Sequence, residues 1–416
     1  MSSILRLTKL QNMHSTIPAV PSQKLLHVDG LRGVACLMVV LSHLALIFFP
    51  GLHDPSMINN NQVISFLFNS SFPFIYSGTA AVYIFFTLSG FILSHAFMNG
   101  KDVLENATSM VTKRYFRLAI PAIFSCIFCF IVLTNNTSDT GMLSTWIQAY
   151  KVDNPSLLNA IYSGAVSAFF GEGSAYNPVL WTMKIELIGS FITYFTCLTL
   201  IKSQKKWIII LSFAIMIFIA TLPQKEKYGY IAFLFGIFIY FSNINLKITT
   251  SALLILIGIY AGGVHYGSSP YIYTIYYSRF FLNGEESNAY ILFNFISGVT
   301  ITLSVLTNYT LKNLFSNKLF VYMGKVSFSV YLFHLPFLLI FTVWLFNLLY
   351  SFNFGYGASA LSAALLSIFL LYILAEIIFR LIDFPSMKAS NKITKFLCNK
   401  NESLAKTMQN SLSNKH

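Results

Sequence analysis

Arg32 and His43 stand eleven residues apart in the run Asp29-Gly30-Leu31-Arg32-Gly33-Val34-Ala35-Cys36-Leu37-Met38-Val39-Val40-Leu41-Ser42-His43. On a helix turning roughly 100° per residue they are about 20° apart around the axis and roughly 16 Å apart along it. The apolar run continues to Pro50 and is long enough to cross a bilayer. One helical face then carries a guanidinium at the membrane surface and an imidazole deep inside. Ionisable groups within a span are expensive and usually face a cavity, which makes the pair a functional-site candidate. The alternative reading is a snorkelling arginine plus a core histidine bonded to a neighbouring helix.

Other ionisable residues sort by depth. Arg114 and Arg117, three apart at the start of a later apolar run, share a helical face and lie level with Arg32. Three arginines at one level suit bidentate contacts to phosphate, although cytoplasmic loops collect arginine anyway. Glu186 opens an inward-running segment, at a depth that matches His43: roughly 10–12 Å below the outer edge of a core about 30 Å thick. A carboxylate beside an imidazole fixes its tautomer and raises its basicity, as a general base requires. Lys184 is two residues from Glu186 and points to nearly the opposite side of the helix, so Glu186 needs another partner. His334 lies in Ser327-Phe328-Ser329-Val330-Tyr331-Leu332-Phe333-His334-Leu335-Pro336. There Pro336 frees a carbonyl one turn earlier that polar side chains can answer. Packing at a helix bend and contact with substrate both fit that group. Glu376, Arg380 and Asp383 read as a surface ion-pair group near the chain's end.

These residues need membrane helices to hold them. The chain has 416 residues, 56% of them apolar and 10% charged, with a mean hydropathy of +0.66. That composition indicates an integral membrane protein, all-α, built as a polytopic helix bundle. Ten spans are predicted, at about 31–50, 78–98, 116–134, 179–201, 207–222, 229–242, 248–265, 290–308, 326–350 and 357–381. The stretch 135–178 is too polar and interrupted for a full span, and its 157–170 part suggests an interfacial or re-entrant helix. Of the 27 Lys and Arg, all but Lys151, Lys184, Lys225, Lys227 and Arg279 fall on the side shared by both tails. This places both termini in the cytoplasm and explains the net charge of +13 without nucleic acid. The organisation is a polar tail over 1–28, a membrane domain over 29–385 and a basic tail over 386–416. Of the five cysteines, four lie in apolar spans as small hydrophobes; Cys126-x-x-Cys129 has metal or redox spacing but no further ligand cluster, so no metal is expected. No cleavable signal peptide and no transporter-type repeat stands out.

Taken together these blocks resemble acyltransferase family 3. Five features carry the likeness in order from about 25 to 385: Arg32-x10-His43 within Asp29-Gly30-Leu31-Arg32-Gly33; Phe85-Phe86-Thr87-Leu88-Ser89-Gly90-Phe91; Arg114-x-x-Arg117 followed by Pro121; Trp181-Thr182-Met183-x-x-Glu186; and Ser327 through Pro336. Each block is weak alone, and five in order are strong. The resemblance implies a multi-span bacterial inner-membrane enzyme. It would move an acyl group, usually acetyl, from cytoplasmic acyl-CoA to a hydroxyl of an extracytoplasmic glycan: a polysaccharide such as lipopolysaccharide, or its lipid-linked precursor. Acyl-CoA is then a co-substrate and no bound cofactor is expected. By this likeness His43 is the essential histidine, Arg32 its paired cation, Arg114 and Arg117 the acyl-CoA clamp, and Glu186 the acidic residue after Trp181. Trp181, Ser327, Tyr331 and His334 are substrate-contacting or structural. Thr182 stands where serine is common, and the fused hydrolase-like outer domain of some members is absent, so transfer is expected to finish within the membrane part. In that scheme the arginines hold the CoA phosphates while the pantetheine arm threads up the Arg32–His43 face. A different class of protein, a proton-coupled transporter or flippase of an anionic glycolipid, would use the same buried charges without consuming acyl-CoA.

Overall fold

The computed structural model describes residues 25–99, 103–135, 138–201, 203–278 and 286–397, with no side chains for 103–108, 286 and 287. Most of both tails, Lys101, Lys202, Arg279 and Cys398 lie outside the described residues. Among the described residues the chain is helical throughout, without strands. Each predicted apolar segment falls on a helix: α1 Leu26–Phe48, α2 Gly78–Met98, α3 Val103–Asn135, α4 Trp181–Leu200, α5 Lys206–Ile219, α6 Gln224–Ser242, α7 Ile248–Gly262, α8 Glu286–Thr307, α9 Lys318–Phe337 and α10 Tyr356–Ile378. Helix α9 continues through a widened turn, Leu338–Thr342, into Val343–Ser351.

Among the described residues seven helices are long and apolar enough to cross a membrane; α5 and α7 are shorter, and α6 carries Lys225, Glu226 and Lys227 in its first turn. The predicted 157–170 element is a helix broken by a widened turn over Ser163–Ser167, and it packs on α3. Helix α3 starts well before the predicted 116 and takes Pro121 into its interior.

The most extensive contact in the bundle joins α1 to α9. Both helices run the same way, because contacts along them advance in step: Gly33 on Gly324, Cys36 on Ser327, His43 on His334. Small residues permit this approach. A Cβ on Gly33 would stand 2.6 Å from the Gly324 nitrogen, and one on Gly324 would stand 1.8 Å from the Asp29 oxygen. The next most extensive contact, α2 with α6, is of the same kind, since a Cβ on Gly90 would meet the Phe233 carbonyl oxygen at 2.1 Å. The glycine of Phe85-Phe86-Thr87-Leu88-Ser89-Gly90-Phe91 is thus a packing residue, and its neighbour Ser89 carries the polar work.

Pro336 lacks an N–H, so the Leu332 carbonyl loses its helical partner. Asn177, fully buried, answers it: Nδ2 donates to Leu332 O at 2.8 Å and to Ser125 Oγ at 3.1 Å. The start of α4 is tied to α9 as well. Tyr331 Oη donates to Val179 O at 2.9 Å and stands 2.9 Å from Thr182 Oγ1.

Candidate active site

The α1–α9 contact delivers two imidazoles to each other. His334 Nε2 lies 3.2 Å from His43 Nδ1, with ring centroids 4.9 Å apart. Backbone carbonyls then fix the tautomers. A carbonyl only accepts, so His334 Nδ1, 2.8 Å from Tyr331 O, carries a proton and leaves its Nε2 bare. His43 Nδ1 lies 2.9 Å from Val39 O and likewise carries a proton, shared between that carbonyl and the His334 lone pair. In the neutral pair His43 Nε2 is therefore unprotonated. His334 is fully buried, whereas His43 is partly accessible. Trp146, from the short helix Thr145–Gln148, lies over His43 with centroids 5.5 Å apart, and Ser144 N bonds Ile47 O to hold that segment on α1. Trp146 belongs to the 135–178 stretch, which the sequence marks only as too interrupted for a full span.

The carboxylate does not join this pair. Glu186 Oε2 accepts from Arg114 Nη2 at 2.7 Å, and Ser89 Oγ donates to Oε1 at 2.9 Å. Arg114 Nε donates to Ser190 Oγ at 2.8 Å, one turn beyond Glu186. The expectation that Glu186 orients His43 is corrected accordingly: its partners are Arg114 and Ser89. The reason is the length of α3, which begins at Val103 and so carries Arg114 into the bundle instead of leaving it at the mouth. Both partners are 12–13% exposed, so the pair is largely desolvated. Lys184 pairs with Glu226 of α6 at 2.7 Å, as its opposite direction on α4 required.

Arg117 interacts electrostatically with Arg114, Arg32 and Asp383, and Asp383 with Arg32, so the structure brings the three arginines together. Asp383 is buried and belongs to this cluster; of the expected surface ion-pair group only Glu376 and Arg380 pair, with Lys325 as the third member. Three guanidiniums face two carboxylates, which leaves a surplus positive charge. Neither Arg32 nor Arg117 has an ion-pair partner within 4.0 Å among the described residues, so the surplus is free for an anion.

The expected conduit along the Arg32–His43 face is closed. Ala35, Cys36 and Val39, which lie between the two, are buried, because the glycine contact seats that face on α9. The two layers connect instead across α2 and α9. Ser89 is one turn from Phe85, the Phe85 ring is 6.1 Å from Tyr331, and the Tyr331 ring is 6.1 Å from His334. Arg32, Phe85, Ser89, Arg114, Arg117, Glu186 and His43 are each partly accessible, whereas the bridging Tyr331 and His334 are buried.

Ser327 and Trp181, predicted as substrate-contacting or structural, lie outside the imidazole pair and the arginine cluster. Ser327 Oγ donates to Gly324 O and its carbonyl accepts from Cys36 Sγ at 3.2 Å. Trp181 lies under Lys225, whose Nζ is 5.2 Å from the ring centroid. Cys126 and Cys129 are buried beside Ser174 and Tyr150, and no group of three metal-ligating side chains forms among the described residues. Asn177 was not singled out in the sequence, although the Pro336 argument called for a residue of its kind.

The fold and site are those of a helical membrane protein with a buried imidazole pair joined to an arginine–carboxylate cluster. The acyltransferase domain family, acyltransferase family 3, matches residues 25–376, and the chain belongs to it. Among curated proteins it is similar to the O-acetyltransferase PaAT-1 of Phomopsis amygdali, 25% identical over 203 residues. That match covers 41% of this chain and spans 40% of the relative's length. No solved structure matches.

Proposed function

We propose that this protein is a multi-pass membrane O-acyltransferase that moves an acetyl group from cytoplasmic acyl-CoA to a hydroxyl of an extracytoplasmic polysaccharide or its lipid-linked precursor. Family membership and the O-acetyltransferase relative support the reaction class. The lysine and arginine asymmetry supports ten crossings with both termini on the cytoplasmic side, and the family resemblance carries the reading of a bacterial inner membrane. The observation that carries the mechanism is the His43–His334 contact, whose tautomers leave a bare Nε2 on His43.

In this reading Arg32 and Arg117 supply the uncompensated charge for the CoA phosphates, and Arg114, held by Glu186, adds to it. The acyl arm follows the seam past Phe85 and Tyr331 to His43. His43 Nε2 takes the proton of the acceptor hydroxyl as its oxygen forms a bond to the thioester carbonyl carbon. The carbon–sulfur bond then breaks, and the leaving thiolate receives that proton from the imidazolium. His334 accepts the Nδ1 proton's hydrogen bond throughout, so it stabilises the cationic ring and fixes its tautomer. Positioned general bases of this kind contribute about 10²–10⁴-fold in rate.

The test is transfer of label from radiolabelled acetyl-CoA in membranes containing the protein. Label in the envelope glycan is expected. Membranes that hold the protein and consume no acetyl-CoA would contradict the reading and favour a carrier.

A further inference from the structure

Beyond the bundle, the chain between α1 and α2 folds into an open, amide-rich surface cleft over 55–69. It joins α1 through the short helix Pro50–Leu52, and so opens on the same side of the bundle as the end of α1 nearest His43. Five amide side chains line it, Asn59, Asn60, Asn61, Gln62 and Asn69, together with two serines and Phe66; no charged residue does.

Structural duties account for only part of this. Asn61 Oδ1 caps the helix Gln62–Phe68, and both ends of the Asn69 amide are bonded, to Ser65 O and Ser269 N. Asn59 and Asn60 hold left-handed backbone, which asparagine tolerates, but among the described residues their exposed side chains make no hydrogen bond, and neither does that of Gln62. Phe66 is 70% exposed beside them, outside the apolar core. Each amide offers two donors and an acceptor, which matches a hydroxyl that must both give and receive. An exposed aromatic face supplies a flat apolar platform for the C–H face of a pyranose ring.

We infer that this cleft is an acceptor subsite for an uncharged oligosaccharide, with Phe66 as its stacking platform and Asn59, Asn60 and Gln62 as its hydroxyl readers. The inference rests on the acyltransferase reading and adds the class of acceptor to it. A purely anionic acceptor, one that binds through phosphate or carboxylate, finds no cation in this lining.

The full chain in nanodiscs is titrated with neutral probes (dextran, mannan and galactan fragments) and with acidic ones (polygalacturonate and phosphomannan fragments). Acetyl-CoA consumption is followed in the same samples. At least one neutral probe is expected to bind; Phe66→Ala weakens it tenfold or more, Phe66→Trp restores it, and Gln62→Glu weakens it several-fold. The Tm stays unchanged in Phe66→Ala, because that ring is 70% exposed and outside the apolar core. Binding of only acidic probes, no sugar binding at all, or neutral binding indifferent to Phe66→Ala overturns the subsite while leaving the acyltransferase reading intact. Failure of every sample to consume acetyl-CoA overturns that reading instead, and neutral binding that depends on Phe66 would still stand.

Discussion

Gly33 of α1 lies directly against Gly324 of α9, and ten residues further along both helices His43 meets His334. The offset of 291 between the histidines is also that between Cys36 and Ser327, so the glycine contact sets the register that builds the imidazole pair. Gly324→Val is expected to destabilise the protein by about 1–3 kcal/mol or more, since the added carbons meet backbone that cannot retreat. Thermal unfolding in detergent, read beside acetyl transfer, checks this. Activity should fall further than the fraction folded explains.

His334→Ala removes one of the two acceptors for the His43 Nδ1 proton, leaving the Val39 carbonyl, without touching Nε2. Transfer should drop by about 10²-fold or more. His334→Gln, whose side-chain oxygen accepts a hydrogen bond, should recover part of the loss. Equal rates for the two variants would argue that His334 only fills space.

The arginines separate by their partners. Arg32→Ala and Arg117→Ala leave no carboxylate stripped of an ion pair within 4.0 Å, so they should raise KM for acetyl-CoA about tenfold with little change in stability. Arg114→Ala strands Glu186 in a largely buried site and should cost about 3–5 kcal/mol in addition. Adding Glu186→Gln to Arg114→Ala should restore stability but not donor affinity. A double variant as unstable as Arg114→Ala would contradict this assignment.

Asn177→Leu leaves the Leu332 carbonyl at the Pro336 bend without its donor. A loss of about 1–3 kcal/mol is expected for a buried acceptor left unpaired. Asn177→Asp supplies no amide donor and should not rescue the Tm.

Acid sensitivity should trace to His53. It lies between α1 and α2, its Nδ1 3.3 Å from His265 Nε2, with Tyr76 against its ring and His43 within electrostatic reach. Burial first, then His265, lower its pKa from 6.5 to about 3. The unfolded chain binds this proton at a pH where the folded chain does not. Stability from the neutral ring is therefore complete above pH 6.5 and declines as pH falls from there toward 3. His53→Gln should flatten that part of the Tm–pH curve; an unchanged slope would assign the acid loss elsewhere.

The bundle was legible because apolar runs and flanking charges report span positions directly. So was the freed carbonyl before Pro336, since proline's missing N–H is a local property. Depth was read less well. Counting residues from predicted span ends placed Arg114 at the mouth and Glu186 beside His43, but α3 runs inward to Val103 and carries Arg114 to Glu186. Asp383 was misplaced for a related reason: proximity to a chain end says nothing about which side of a helix is covered. Trp146 and Asn177 come from the long segment between α3 and α4, whose path depends on tertiary contacts that no periodicity encodes. The glycines of α1 and α9 marked a close approach, yet their pairing across 291 residues is visible only in three dimensions.

The account stands on His43 as the base that takes the acceptor hydroxyl's proton while the acyl group moves. The most direct measurement is the acetate content of the envelope glycan in cells making His43→Ala at the wild-type protein level. Acetate should fall to that of cells without the protein. Full acetylation at matched protein level would contradict the account.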